Sequence, residues 1–330
     1  MSAVAAMRED GAIETIEVIA PGALTHVQDL GRDGWRHLGI SRGGALDPGC
    51  AMLANALVGN PDDAAVLEFT LQGPTLRLPR PMRIALMGAV CEARFEGQAL
   101  PPARPIDLPA GTLSLGGMRM GVRAWLAIRG GIDAPRVLGS RATDLRGGFG
   151  GVEGRALRAG DRLPIGAHTA IETATPRIPG WWIDPTFAED PGAPIRYLAS
   201  DTLSLRALSA SLSAQVWKVS AASNRQGLRL DGAALPAPSA SAVSEPVAPG
   251  TIQLPADGRP IVLLADAQTV GGYARLGHVI AADLPRLAQA RPNAELRFRS
   301  CKAAEAIAAS HQDRAERARL KLAIEARFAR

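Results

Sequence analysis

Residues 244–280 read SEPVAPGTIQLPADGRPIVLLADAQTVGGYARLGHVI. The stretch divides into three short strands separated by two glycine-bearing turns. Ile252–Leu254 is a brief apolar edge, Ala256-Asp257-Gly258 supplies a turn whose glycine takes a positive φ, and Ile261–Ala265 is a continuous apolar run of strand length. The segment that follows, Asp266-Ala267-Gln268-Thr269-Val270-Gly271-Gly272-Tyr273, sets polar side chains beside bare backbone, as a binding loop requires. The same residues also suit a plain turn, closed by Asp and Gln and punctuated by Gly-Gly.

Working outward, Ser223-Asn224-Arg225-Gln226-Gly227-Leu228-Arg229-Leu230 alternates arginine with leucine, so at least one arginine points inward from a strand. An inward guanidinium needs an acidic residue such as Glu245, or an anionic ligand. Near the start of the chain, Gln28, Asp29 and Arg32 crowd a glycine-rich bend, where such groups either line a site or bond the bend into shape. Arg42, between Ser41 and Gly43-Gly44, can hold a carboxylate or phosphate with two bonds. Asp47-Pro48 starts a helix over 48–58 that Gly59-Asn60-Pro61 ends. Strand-like segments follow at Leu67–Leu71, Thr75–Leu78, Arg83–Met87, Cys91–Phe95 and Val122–Ile128, and Leu157–Leu163 reads as a hairpin.

These motifs, in this order, carry a resemblance. Thr25, Val27–Asp29, Gly31-Arg32, Gly34 and Gly44–Asp47 lie in register with TxVQDxGRxG and GALD. Arg129–Asp133 and Leu138–Asp144 follow an AxxGGIDxPxxLGSRSTD run, and Ser223–Leu230 follows SxRxGxRL. Together with 244–280 they resemble the carboxyltransferase-like family that includes the C subunit of prokaryotic 5-oxoprolinase, allophanate hydrolase subunit 2 and the carboxyltransferase region of urea carboxylase. The departures are Ala142 for serine, Ala199-Ser200-Asp201 for a GPQ-type turn, Pro246 for glycine, Ala267 for a basic residue and Arg275 for lysine. The last removes any role that needs a deprotonatable amine. Arg141 and Asp144 either shape an anion pocket or brace a loop as a pair, and His278, in an apolar run, reads as a packed residue.

Composition agrees with a mainly β chain. Aromatics are only 4%, while 35 glycines and 25 prolines favour short strands and tight turns. The formal charge is +5, with seven Lys/Arg against four Asp/Glu in residues 301–330, and no basic stripe interleaved with aromatics, so nucleic acid is not an expected partner. Cys50, Cys91 and Cys301 show neither a CxxC nor a Cys/His pairing, which argues against a disulfide framework or a metal site and for a reducing compartment. With no apolar run of membrane-spanning length and no signal-like core in residues 1–12, the expectation is a cytoplasmic protein. Residues 166–194, centred on Trp181-Trp182, read as a domain connection. Leu320, Ile324 and Phe328 give residues 303–329 one apolar helical stripe, docked on its own barrel or on a partner.

The resemblance implies two cyclophilin-like β-barrel subdomains, over 13–190 and 191–300, with few helices and a helical tail over 301–330. It also implies work with a companion chain, a homologue of the 5-oxoprolinase B subunit. In that family the chemistry is ATP-driven opening of 5-oxoproline to glutamate, or carboxyl transfer from biotin to a urea-like nitrogen. A third reading is a non-catalytic partner of a kinase inhibitor. The chain has neither a GxxxxGKS/T loop nor a Met-Lys-Met biotin site, so ATP is expected at a site shared with a partner and biotin only on another chain. The catalytic assignment falls on Asp266 and Gln268, with Arg42, Arg225, Thr269, Gly271, Gly272 and Tyr273 binding substrate. In this assignment Arg225 holds the substrate carboxylate, Gln268 holds its amide, and Asp266 orients Gln268 or a water.

Overall fold

A computed structural model describes residues 15–184, 192–201, 203–236 and 243–329. Ile13 and parts of the 166–194 and 236–249 segments lie outside the described residues. The protein is mainly β, with curled sheets and, among the described residues, four α-helices: α1 (Pro48–Val58), α2 (Leu203–Ser213), α3 (Leu284–Ala288) and α4 (Ala303–Phe328). It divides into two compact units that are not consecutive spans. The first takes residues 1–32, 47–185 and 317–330, and the second takes 33–46 and 186–316.

In the first unit a nine-stranded sheet runs Leu24–Gln28, Val66–Thr70, Gly111–Ile128, Thr75–Leu78, Thr15–Ala20, Arg162–Pro164, and Met82–Phe95 also pairs with Gly111–Ile128. The segments expected as separate strands at Arg83–Met87 and Cys91–Phe95 form one strand of 14 residues. Gly88, which lies between them at φ 94, marks a register shift that curls the strand instead of ending it. Leu157–Leu163 is not a hairpin closed on itself, because Arg162–Pro164 pairs with the first strand. Strand Val66–Thr70 is buried on both faces. Glu68 is fully buried, and its carboxylate accepts the Trp125 indole N–H at 2.9 Å.

Helix α1 forms where its caps predict. The Asp47 carboxylate accepts the Cys50 N–H at 3.0 Å, and Gly59 ends the helix in the left-handed conformation. The last turns of α4 dock on this same unit. Ile324 is buried, Lys321 bonds both Asp62 oxygens at 2.7 and 2.8 Å, and Phe328 meets Trp181 edge to face. Of the apolar stripe, Ile324 is therefore covered by the chain itself, Leu320 is half-buried and Phe328 stays 40% exposed.

In the second unit an eight-stranded sheet runs Glu295–Leu296, Trp217–Val219, Gly227–Asp231, Ile261–Leu263, Thr251–Leu254, Ala274–Val279, Ile195–Ala199, Phe298–Ser300. The opening stretch thus supplies three adjacent central strands. Gly258 turns between two of them at φ 70, where an added Cβ would overlap the Leu235 carbonyl. Helix was expected to be concentrated at 48–58 and 303–329. α2 escapes that expectation because its inward positions Leu205, Leu208, Ser209 and Leu212 include a serine, whose carbonyl takes the Tyr197 hydroxyl at 2.6 Å. Among the described residues no helix is long and apolar enough to cross a membrane.

Candidate functional site

The binding loop begins where strand Ile261–Leu263 ends. Asp266 is 5% exposed and holds Arg225, 4% exposed, through two bonds of 2.8 and 2.9 Å. A further Arg225 N–H reaches the Gly44 carbonyl at 2.6 Å, and the Gly43 N–H reaches the Ala265 carbonyl at 3.2 Å. Of the two acidic residues, it is Asp266 and not Glu245 that meets the inward guanidinium, and the Asp266 carboxylate braces it. The pair is dry and bidentate, which is the form a buried ion pair needs to offset its desolvation.

Beyond Asp266 the loop turns over the buried strand Thr251–Leu254. Ala267 is fully buried against Val247 and Leu263, where a basic side chain would lose its hydration. Thr269 is buried, and its carbonyl accepts the Val247 N–H at 3.0 Å. Val270–Gly271 then pairs antiparallel with Glu245–Pro246. Gln268 is half-buried and donates a long 3.4 Å bond to the carbonyl oxygen of the Gln253 side chain. Gln253, absent from the sequence assignment, is 1% exposed, and among the described residues its amide nitrogen has no hydrogen-bond partner. That nitrogen lies against Gly271, where an added Cβ would overlap it. The alternation of Ile252, Gln253 and Leu254 was the available signal, since it places one amide on a buried face.

Gly272 is half-buried and Tyr273 is half exposed. Arg275 pairs with Glu245 at 3.5 Å near the surface. Arg42 is partly exposed and meets the well-exposed Asp33 at 2.9 Å, a pair worth about 0–1 kcal/mol in that setting. The structure therefore brings together Gln253, Gln268 and Gly271 on one side, and Arg225, Asp266 and the 42–44 segment on the other. Gln268 and Arg225 do not bond each other. Asp29 takes the structural alternative: its carboxylate accepts the N–H groups of Gly31 at 2.7 Å and Arg141 at 2.6 Å, and the Ser140 hydroxyl at 2.6 Å. Arg141 pairs with Asp133 at 2.7 Å, while Asp144 accepts the backbone N–H groups of Arg146 and Gly147.

His278 is packed, as its apolar run suggests, with its Nδ1 3.4 Å from the Thr251 hydroxyl. Burial, and then the Arg275 charge, hold its pKa below the ordinary value of 6.5. Below that value the unfolded chain binds a proton that the folded one resists, so this contribution to stability is present at neutral pH and is lost as pH falls. The melting temperature should therefore decline between pH 7 and 5.5 more steeply in the native chain than in His278→Gln. Parallel declines would show that His278 does not contribute to the acid sensitivity.

With this geometry in place, the comparisons give the class. The family model for the carboxyltransferase domain, subdomain A and B, matches residues 38–300, and the chain belongs to that family. It is 40% identical over 296 residues to the C subunit of 5-oxoprolinase from Escherichia coli, a match covering 89% of this chain and 94% of that protein. It is 31% identical over 309 residues to urea amidolyase of Saccharomyces cerevisiae, covering 86% of this chain and 16% of that one. The crystal structure of the K. lactis urea amidolyase superimposes with a TM-score of 0.83 at 29% identity, over 93% of this chain. The chain spans only 20% of that amidolyase.

Proposed function

We propose that this chain is the C subunit of a 5-oxoprolinase, opening 5-oxo-L-proline to L-glutamate with ATP and a B-subunit partner. The observation that carries the reading is the nearly end-to-end match to a protein of that name, in contrast to the short fraction of the urea amidolyases that the chain spans. The geometry supports the same chemistry. A lactam presents a planar N–C=O, and the carboxamides of Gln268 and Gln253 offer donors and an acceptor to such a group, with Gly271, Gly272, Thr269 and Tyr273 around them. With Arg225 committed to Asp266, Arg42 is the guanidinium left for the substrate carboxylate, because its surface pair with Asp33 is cheaply exchanged.

The sequence carries no GxxxxGKS/T loop to cradle ATP. The N-terminus of α1 is closed by its own Asp47 cap. Nucleotide chemistry is therefore assigned to the partner or to a site completed by it. The second reading, biotin-dependent carboxyl transfer, is favoured by the likeness to urea amidolyase. The ureido ring of biotin, carried on another chain, shows Gln268 the same N–C=O pattern.

Co-expression with a B-subunit homologue should yield a stable complex that releases glutamate from 5-oxoproline only with ATP, while the purified chain alone should be inactive. Gln268→Ala should lower kcat/KM of the complex by up to about tenfold, as for a neutral hydrogen bond of about 0.5–1.5 kcal/mol. Turnover by the isolated chain would overturn the subunit reading. Urea carboxylation with a biotin carrier, together with no lactam cleavage, would select the second.

A further inference from the structure

The first unit contains an open cleft of about 420 Å³, apart from every residue used above for amide recognition. Its charged and titratable lining is Asp63, Arg129, Asp133, Arg136, Arg141 and His168. Two of the arginines are already matched: Arg136 meets Asp63 at 3.1 Å and Arg141 meets Asp133 at 2.7 Å. His168 is neutral in this arrangement. Its Nδ1–H donates to the Gly166 carbonyl at 2.8 Å, which leaves Nε2 to accept from Arg80 at 3.0 Å. The Arg129 side chain is half-buried in the cleft and, among the described residues, has neither a carboxylate nor a hydrogen-bond partner. Beside it the wall is bare backbone. Gly130 sits at φ 93 against Gly166 and His168, and an added Cβ would collide with both.

We propose that this cleft binds a small organic carboxylate through the Arg129 guanidinium. Three arginines against two aspartates leave one positive charge on the lining, which a single carboxylate neutralises. A phosphate dianion would place an uncompensated negative charge beside Asp63 and Asp133. The volume suits a ligand of amino-acid size with room for solvent. The inference is independent of the lactam reading, since it uses no residue of the Gln268 loop.

The test is calorimetric titration of the full chain, alone and in complex with its partner, using L-glutamate as the carboxylate probe and orthophosphate as competitor. Saturable glutamate binding is expected, undisturbed by equimolar orthophosphate. Arg129→Gln should weaken it at least about tenfold, as for loss of a charged hydrogen-bond donor. Gln268→Ala should leave it unchanged, which separates this cleft from the lactam site. Because Arg129 makes no side-chain bond among the described residues, Arg129→Gln should melt at the native temperature, and Arg129→Lys should restore part of the affinity. Absence of saturable binding, unaltered binding in Arg129→Gln, loss of binding in Gln268→Ala, or displacement by orthophosphate would each overturn the proposal.

Discussion

Arg225→Ala is expected to lower the melting temperature of the protein by about 10 °C. The substitution leaves the Asp266 carboxylate 5% exposed with its two guanidinium bonds gone, and it removes a donor from the Gly44 carbonyl. Breaking one partner of a buried pair costs roughly 3–5 kcal/mol, and in a chain of this size each kcal/mol moves the midpoint by about 2–4 °C. The double replacement Arg225→Met with Asp266→Leu should recover much of the loss, because no buried charge is then left alone. Scanning calorimetry of the native chain and both variants is the measurement. An Arg225→Ala protein that melts at the native temperature but loses lactam cleavage would restore the arginine to the substrate.

Gly271→Val should reduce kcat/KM of the complex by about 100-fold while costing only a few degrees of stability. The added Cβ would occupy the place of the Gln253 amide nitrogen, so the end of that buried side chain must move. Its amide must rotate away, losing both its register with Gln268 and its aim at a substrate carbonyl. Removing one preorganised donor to a developing oxyanion typically costs about 10²–10³ in rate. The fold is spared because, among the described residues, Val270–Gly271 pairs only with the two-residue strand Glu245–Pro246. Parallel measurement of glutamate release and melting decides the matter. Unchanged kinetics in a folded Gly271→Val protein would remove Gln253 from the site.

The pattern of what sequence revealed follows from which forces are local. Helix α1 was legible because Asp47, Pro48 and Gly59 act within a turn of their own positions. The three strands of 244–280 were legible because their apolar runs end at turn residues. Helix α2 was not, since an alternating Leu/Ser text hides a helical face completed by a buried serine, and only Tyr197 makes that burial tolerable. The long strand Met82–Phe95 was read as two, on either side of a glycine whose effect is a bulge. At the site, residue types were readable but partners were not. That Arg225 would meet Asp266, 41 positions away, was one of several equally sensible pairings. Gln253 was missed because a single amide in an apolar strand looks like any other polar residue until its nitrogen is found without an acceptor.

The interleaving of the two units has a consequence for how the chain can be made. Segment 33–46 joins the second unit through the Gly43 and Gly44 bonds, to residues that leave the ribosome some two hundred positions later. Residues 317–330 close the first unit only after the whole of the second has been made. The first unit therefore cannot complete its native contacts until the second has been synthesised, and it must wait in partly assembled form. A cut at the 185/186 boundary yields no self-sufficient halves: the leading piece lacks the Ile324 turn, and the trailing piece lacks the backbone that Arg225 grips. Recombination between relatives is better placed at 32/33, 46/47 and 316/317 together, exchanging the second unit as an inserted pair of segments.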